Sequence, residues 1–336
     1  MARGSGNSKE KRFVMKKVFF FWGGDISNTR LQLLRDCIYS TKHFNPEREI
    51  VLVSNSLNEN MFSEQYGIKI MRWDESLFEG SPINPDLVRK YYLNAWYRDQ
   101  SDIVRMGLLY RYGGSYIDTD DICIKKMSDS KNLVCRSYDP HTCHYNKISP
   151  EDCVDGKYRE IRGYDNINMF PRNDCWQNFE PQSEFLTALL SDEKIQKSTK
   201  PIGICDDFSW QSLTLKYLKI FLPEKKCSYG LTLLYLPEGH VSCSSLWDMG
   251  IYGGEMIDRW KALPGVLEQE WGKYKCKRDV AMKFFYKILE DYPFVSHLWL
   301  HDKDANKEWL TDIDLDGEYA VSTWIINEIR RQVYGG

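Results

Sequence analysis

The chain has 336 residues, of which 42% are hydrophobic, and its 45 basic and 48 acidic side chains leave a net charge of -3. That is enough for one large α/β domain or two modest ones with a substantial core. It excludes the broad positive field that nucleic acid or an anionic lipid surface would need. The first 15 residues, beginning "MARGSGNSKEKRF", are polar and rich in Gly and Ser, and read as a disordered or appended leader. No apolar run approaches the ~20 residues of a membrane span, so a soluble, cytoplasmic protein is expected, with an anchor ahead of the leader left open.

From Lys17 the pattern alternates. "KVFFFW" (Lys17 to Trp22) is a buried-strand run stopped by Gly23 and Gly24, "NTRLQLLRDCIYSTKHF" follows with helical periodicity, and "EIVLVS" and "IKIMRW" are further strands. A βαβ order of this kind predicts a mostly parallel sheet with ligands at the carboxyl ends of its strands, where Trp22 and the Gly23-Gly24-Asp25 turn fall. One long helix is predicted from Pro85 to Tyr112, with Asp102 and Arg105 three residues apart on one face. Gly113 and Gly114 stop it, and a strand begins at "SYID". Beyond Lys126 the pattern loosens: strands are expected in "DNINMF", "LTLLYLPEG" and "PFVSHLW", and helices near 183–190, 209–221 and 320–333. Three regions result: the leader (1–15), a nucleotide-binding half (16–130) and a more irregular half of the same domain (131–336).

The ten cysteines show no CxxC pairing, which argues against a zinc ribbon and for buried, reduced thiols. The stretch Cys135 to Cys153, which also holds His141, Cys143 and His144, leaves a structural metal or a disulfide open there. Aromatics make up 14% of the chain, more than a core usually needs, and flat rings with a polar edge suit stacking on bases and sugars.

The densest chemical signal is "YRYGGSYIDTDD" (Tyr110 to Asp121). Asp118, Asp120 and Asp121 crowd three negative charges into four positions at a strand end, which repel unless water or a cation separates them. Asp118 and Asp120 can reach one ion if the chain bends there, and oxygen ligands favour Mn²⁺ or Mg²⁺, ions that bridge carboxylates to substrate phosphates. A solvated acidic turn is the alternative. Tyr116 alternates with Asp118 on one strand face, and core packing is equally open to it.

The run "SDIVRMGLLYRYGGSYIDTDD" (Ser101 to Asp121) resembles the DXD-containing sugar-transferase family that includes initiating α-1,6-mannosyltransferases, capsular polysaccharide transferases and the catalytic domains of bacterial glucosylating toxins. That pattern is an Asp and an Arg on a helix followed by Gly-Gly-x-Tyr-x-Asp-x-Asp. "FFFWGGD" (Phe19 to Asp25) looks like the family's first strand. The resemblance implies a GT-A-type nucleotide-diphospho-sugar transferase fold. It also implies a metal-dependent enzyme that moves a sugar from a nucleoside-diphosphate sugar, preferably a UDP-sugar, to a hydroxyl of a glycan with retention of configuration. Carried over, Trp22 would stack on the base, with Gly23 beside it. Asp102 and Arg105 would hold the sugar and its phosphates, and Tyr116 would line the same nucleotide-sugar site. Asp118 would touch ribose, sugar and metal, and Asp120 would ligate the metal. "SHLWLHDKD" (Ser296 to Asp304) stands where the family supplies a C-terminal contact, with His297 the preferred added metal ligand, Trp299 and Lys303 nucleotide-sugar contacts, and His301 chemically able to serve. Asn168, Asp206 and Asp207 fall where the family builds the acceptor side. Two other classes remain: a binding protein of the same fold, and a phosphatase built on Asp-x-Asp, against which Ile122 stands where such enzymes want Thr or Val.

Overall fold

The computed structural model describes residues 17–119, 121–127, 133–138, 169–198, 201, 210, 213–214, 216–217, 232–235, 266–268, 274–279, 282, 295–297, 316–317 and 319–335. Its frame is a sheet in the order β3-β2-β1-β4-β7-β6-β8. These strands are β1 (Lys17–Phe21), β2 (Glu49–Val53), β3 (Lys69–Met71), β4 (Gly114–Ile117), β6 (Leu133–Tyr138), β7 (Met169–Phe179) and β8 (Thr232–Tyr235). The run from β3 to β4 is parallel, as is β6 with β8, while β7 lies antiparallel between β4 and β6. The expected mixed α/β class with a mostly parallel sheet is what the chain adopts. Two smaller sheets accompany it: β5 (Asp121–Cys123) with β11 (Val295–His297), and β10 (Tyr274–Cys276) between β9 (Val266–Glu268) and β12 (Tyr319–Ala320).

Alternation along the central strands sends successive side chains to opposite faces, and both faces are covered. Val18, Phe20, Ile50 and Leu52 pack with Leu34 and Ile38 of α1 (Asn28–Phe44). Phe19, Phe21, Val51 and Val53 pack instead with α2 (Pro85–Asn94), α3 (Tyr97–Tyr112) and α4 (Glu184–Leu190), through Leu87, Ile103, Met106 and Leu186. A short α5 (Glu193–Lys197) follows α4.

The helix ends follow from local chemistry. Ser27 caps α1 by accepting the Arg30 N–H. At its far end Asn45 donates to the Thr41 carbonyl and accepts the Met127 N–H at 2.8 Å, which fixes the segment after β5 against the helix. Asn84 caps α2, with Pro85 in its first turn. The final helix, α6 (Val321–Tyr334), lies on α1: Arg330 reaches the fully buried Asp36 through two nitrogens at 2.9 and 2.7 Å, and the Tyr334 hydroxyl donates to the same carboxylate at 2.7 Å. Cys37 and Cys123 are buried thiols in no disulfide.

One expectation is overturned. The helix predicted from Pro85 to Tyr112 is two helices, because Ala95 and Trp96 are extended at ψ 151° and 149°. Neither Gly nor Pro marks the break. The Gln100 side chain donates to the Ala95 carbonyl and the Gln100 N–H to that of Trp96, so the carbonyls at the interruption keep partners. No helix among the described residues is long and apolar enough to cross a membrane.

Candidate active site

β1 and β4 are neighbours, and their carboxyl ends carry the residues singled out by sequence. Helix α3 runs over this edge. Arg105 is 1% exposed, and its guanidinium divides its bonds between two acids: Nη1 donates to Asp102 Oδ1 at 3.0 Å and Nη2 to Asp118 Oδ1 at 3.2 Å. It also rests 4.6 Å from the centroid of the Tyr116 ring. A helix residue and a strand-exit residue are thereby joined through one planar cation, a geometry that suits the two-pronged guanidinium.

The environments of the two acids differ. Asp102 is 6% exposed, and burial, outweighing the neighbouring Arg105, raises its carboxyl above the ordinary range. The Asp118 side chain keeps 27% of its surface exposed, so it is the member of the triad that faces outward. Tyr116 is fully buried, and burial first, then the Asp118 charge, pushes its phenol well above the usual value. It therefore packs in the core beneath Arg105, the alternative its place in the strand left open.

After Asp118 the chain turns sharply, the Asp121 N–H donating to the Asp118 carbonyl at 3.2 Å, and enters β5. Asp121 is fully buried. Its strand pairs antiparallel with β11 in a register that sets Asp121 directly opposite His297. The backbone thus brings His297, 176 positions from Asp121, beside the acid turn. Asp120, Asn168, Asp206, Asp207, Trp299, His301 and Lys303 lie outside the described residues, as do His141, Cys143, His144 and Cys153. Among the described residues no three of His, Cys, Asp and Glu gather as a cation site.

At the β1 exit, Trp22 is half-buried against the cluster on the α1 side, its backbone N–H donating to Val53. Its Nε1 is buried with no partner among the described residues. The two following glycines have a use the sequence did not suggest. A Cβ on Gly23 would lie 2.3 Å from the Tyr97 ring, and one on Gly24, at φ 77°, also 2.3 Å from it. The Tyr97 ring lies across both glycines while remaining 56% exposed. Ser56 ties the turn down by donating from its hydroxyl to the Gly24 carbonyl.

Sequence reasoning missed Tyr97 and Ser56. The available signal was the run "YYLNAWYR" (Tyr91 to Arg98), with more large side chains than one helical face can bury. Tyr92, Leu93, Trp96 and Tyr97 are all exposed, Trp96 at 78%.

Residues 32–152 match the family described as a glycosyltransferase sugar-binding region containing DXD motif, the resemblance read from Ser101 to Asp121. No curated protein matches the chain. Among solved structures it is similar to PaToxG Glycosyltransferase, at 17% identity over 62% of this chain and 70% of that one, with a TM-score of 0.39. It is also similar to the galactosyltransferase LgtC in complex with donor and acceptor sugar analogs, at 12% identity over 48% of this chain and 56% of that one, with a TM-score of 0.26. At these scores neither likeness carries an argument.

Proposed function

Given a sugar-binding region of the DXD glycosyltransferase family over residues 32–152, we propose that the chain is a metal-dependent glycosyltransferase. Its donor is a nucleoside-diphosphate sugar, UDP-linked by preference, and its acceptor is a glycan hydroxyl, with retention at the anomeric carbon. The observation that carries this reading is the Asp102–Arg105–Asp118 triad on Tyr116 at the carboxyl end of β4. It fixes an outward-facing carboxylate at the edge where open α/β sheets bind ligands.

In the transfer, the bond between the anomeric carbon and the diphosphate oxygen breaks, and its electron pair departs with the diphosphate. A bond forms from the acceptor oxygen, whose proton passes to the departing diphosphate. The residues available at this edge suit a hard divalent cation: Asp118 and Asp120 offer oxygen, and His297 enters beside Asp121 by strand register. A Mn²⁺ or Mg²⁺ held by Asp118, Asp120 and His297 would supply charge neutralisation to the diphosphate. Arg105 pairs with Asp118 and adds positive charge behind it. Trp22, Gly23 and Tyr97 border the β1 exit, where the base and ribose would lie; Trp299 and Lys303 are assigned to the same donor, and Asn168, Asp206 and Asp207 to the acceptor.

The test is turnover of a panel of UDP- and GDP-sugars with Mn²⁺, with thermal shift recorded in parallel. Slow donor hydrolysis is expected in the wild type and should vanish in Asp118→Asn and in Asp120→Asn, both still folded. Unchanged hydrolysis in either variant removes the metal site, and thermal stabilisation without turnover assigns the chain to a binding role.

A further inference from the structure

Four large side chains stand exposed where α2 ends and α3 begins: Tyr92, Leu93, Trp96 and Tyr97. Single exposed apolar residues are ordinary, whereas a run of them beside a candidate site marks a binding surface. Two of the rings are tied to the carboxyl end of β1. Tyr97 lies across Gly23 and Gly24, and Tyr92 meets the buried Trp73 edge-on at 5.0 Å, which in turn meets Phe21 edge-on at 6.3 Å. Trp96 stands between them in the chain and has the least structural use. It occupies the cap position of α3, where Ser, Thr, Asp or Asn would satisfy a helix N–H, and its side chain makes no cap bond. At 78% exposed it packs little. Yet the helix break that presents it is held in place by Gln100, whose side chain donates to the Ala95 carbonyl and whose N–H donates to that of Trp96. Charge is largely balanced along the strip: Arg89 faces Glu75 at 3.7 Å and Arg98 faces Asp99 at 3.6 Å. A neutral ligand with flat apolar faces fits such a surface better than an anionic membrane does.

We propose that Trp96 is a sugar-stacking platform. The electron-rich face of its indole takes the C–H face of a neutral hexose unit, in a glycan that runs from here past Tyr97 to the edge where β1 and β4 end. The stacking rests on exposure, the uncapped helix start and position alone; that the glycan is the acceptor rests on the proposed function. Trp96 is then a binding residue for a sugar unit remote from the reacting atoms.

Retention on an array of immobilised neutral oligosaccharides of glucose, galactose and mannose tests this on the full chain. Trp96→Ser is the variant, because serine supplies a capping hydroxyl and so keeps the fold. The wild type is expected to bind at least one such glycan, and Trp96→Ser to bind it about 5- to 10-fold more weakly. Trp96→Phe keeps a flat ring and should lose less than Trp96→Leu, which keeps apolar area without one. Retention of no neutral glycan, unchanged retention in Trp96→Ser, or equal losses in Trp96→Phe and Trp96→Leu overturns the platform. Binding to phosphatidylcholine or phosphatidylserine vesicles, or self-association, that Trp96→Ser abolishes also overturns it, since a membrane or a second copy is then the occupant. Donor hydrolysis separates the two readings. Glycan retention through Trp96 without any donor turnover removes the transferase and leaves the platform, while turnover with retention independent of Trp96 does the reverse.

Discussion

The chain uses the dipeptide Gly-Gly twice beside the same pair of strands, and the two instances do opposite work. Gly113 and Gly114 sit at the amino end of β4, with φ 63° and 93°. A Cβ there would strike backbone: the Phe179 carbonyl at 2.6 Å and the Lys17 carbonyl at 2.7 Å. That edge is closed, and beside it Arg48 donates to both Asn178 and Ser115 in a buried polar network. Gly23 and Gly24 sit at the carboxyl end of β1 and meet an exposed side chain instead. One pair lets strands and helix approach; the other makes a bed for a ring at the rim of the site. The glycines of Gly-Gly-x-Tyr-x-Asp-x-Asp therefore serve the fold at the far end of the strand from the acids they announce.

The contrast can be broken most directly at Gly114. Gly114→Ala forces a side chain into a left-handed conformation against a carbonyl, and should cost about 3 kcal/mol or more of stability. Urea midpoints measure it; a loss under about 0.5 kcal/mol would erase the distinction between the two edges.

A smaller effect separates the edges by pH. Because burial raises the Asp102 carboxyl in the folded chain, ionising it opposes folding. Below the unfolded value of 3.8 both states hold the proton and nothing is lost. As pH rises from there toward the higher folded value, the native state loses stability. Asp102→Asn should remove that decline, and unfolding free energies from pH 3.5 to 7 that run parallel in the two proteins would contradict it.

The smallest effect is expected at Gly23. Its obstacle is the near end of a half-exposed tyrosine, Cγ at 2.6 Å and Cβ at 2.7 Å; the ring can turn but the Cβ moves only with the start of α3, so Gly23→Ala should cost about 1 to 2 kcal/mol and less when Tyr97 is already Gly. Additive losses in the double variant would mean that backbone, and not the ring, demands glycine there.

The first β-α-β-β units were legible because each carries its own punctuation: apolar runs, helical periodicity from Asn28, and the glycines at 23 and 113. The break at Ala95 and Trp96 was not, since helical spacing continues across it, and no Gly or Pro stands there; what accompanies it is a contact of Tyr97 with a strand end more than seventy residues earlier. Strand β5 is three residues long and takes its partner from β11 near the other end of the chain, so no local window could reveal it. The triad was half legible: the helical spacing of Asp102 and Arg105 was visible, but that Arg105 would also grip Asp118 across to the next strand depends on how α3 packs.

The clasp between α1 and α6 bears on how the chain reaches its native state. Asp36 and Arg330 are 294 positions apart, and the backbone carbonyl of Val333 also accepts from Tyr66. Closing so long a loop is entropically slow to begin and is repaid only once both partners are in place. A fragment cut near residue 130 would keep every acid of the DXD turn and still present a bare α1 flank, with Asp36 stripped of its cation, to solvent. The α1 flank of this sheet is completed only by residues far beyond the span in which its sequence signature ends.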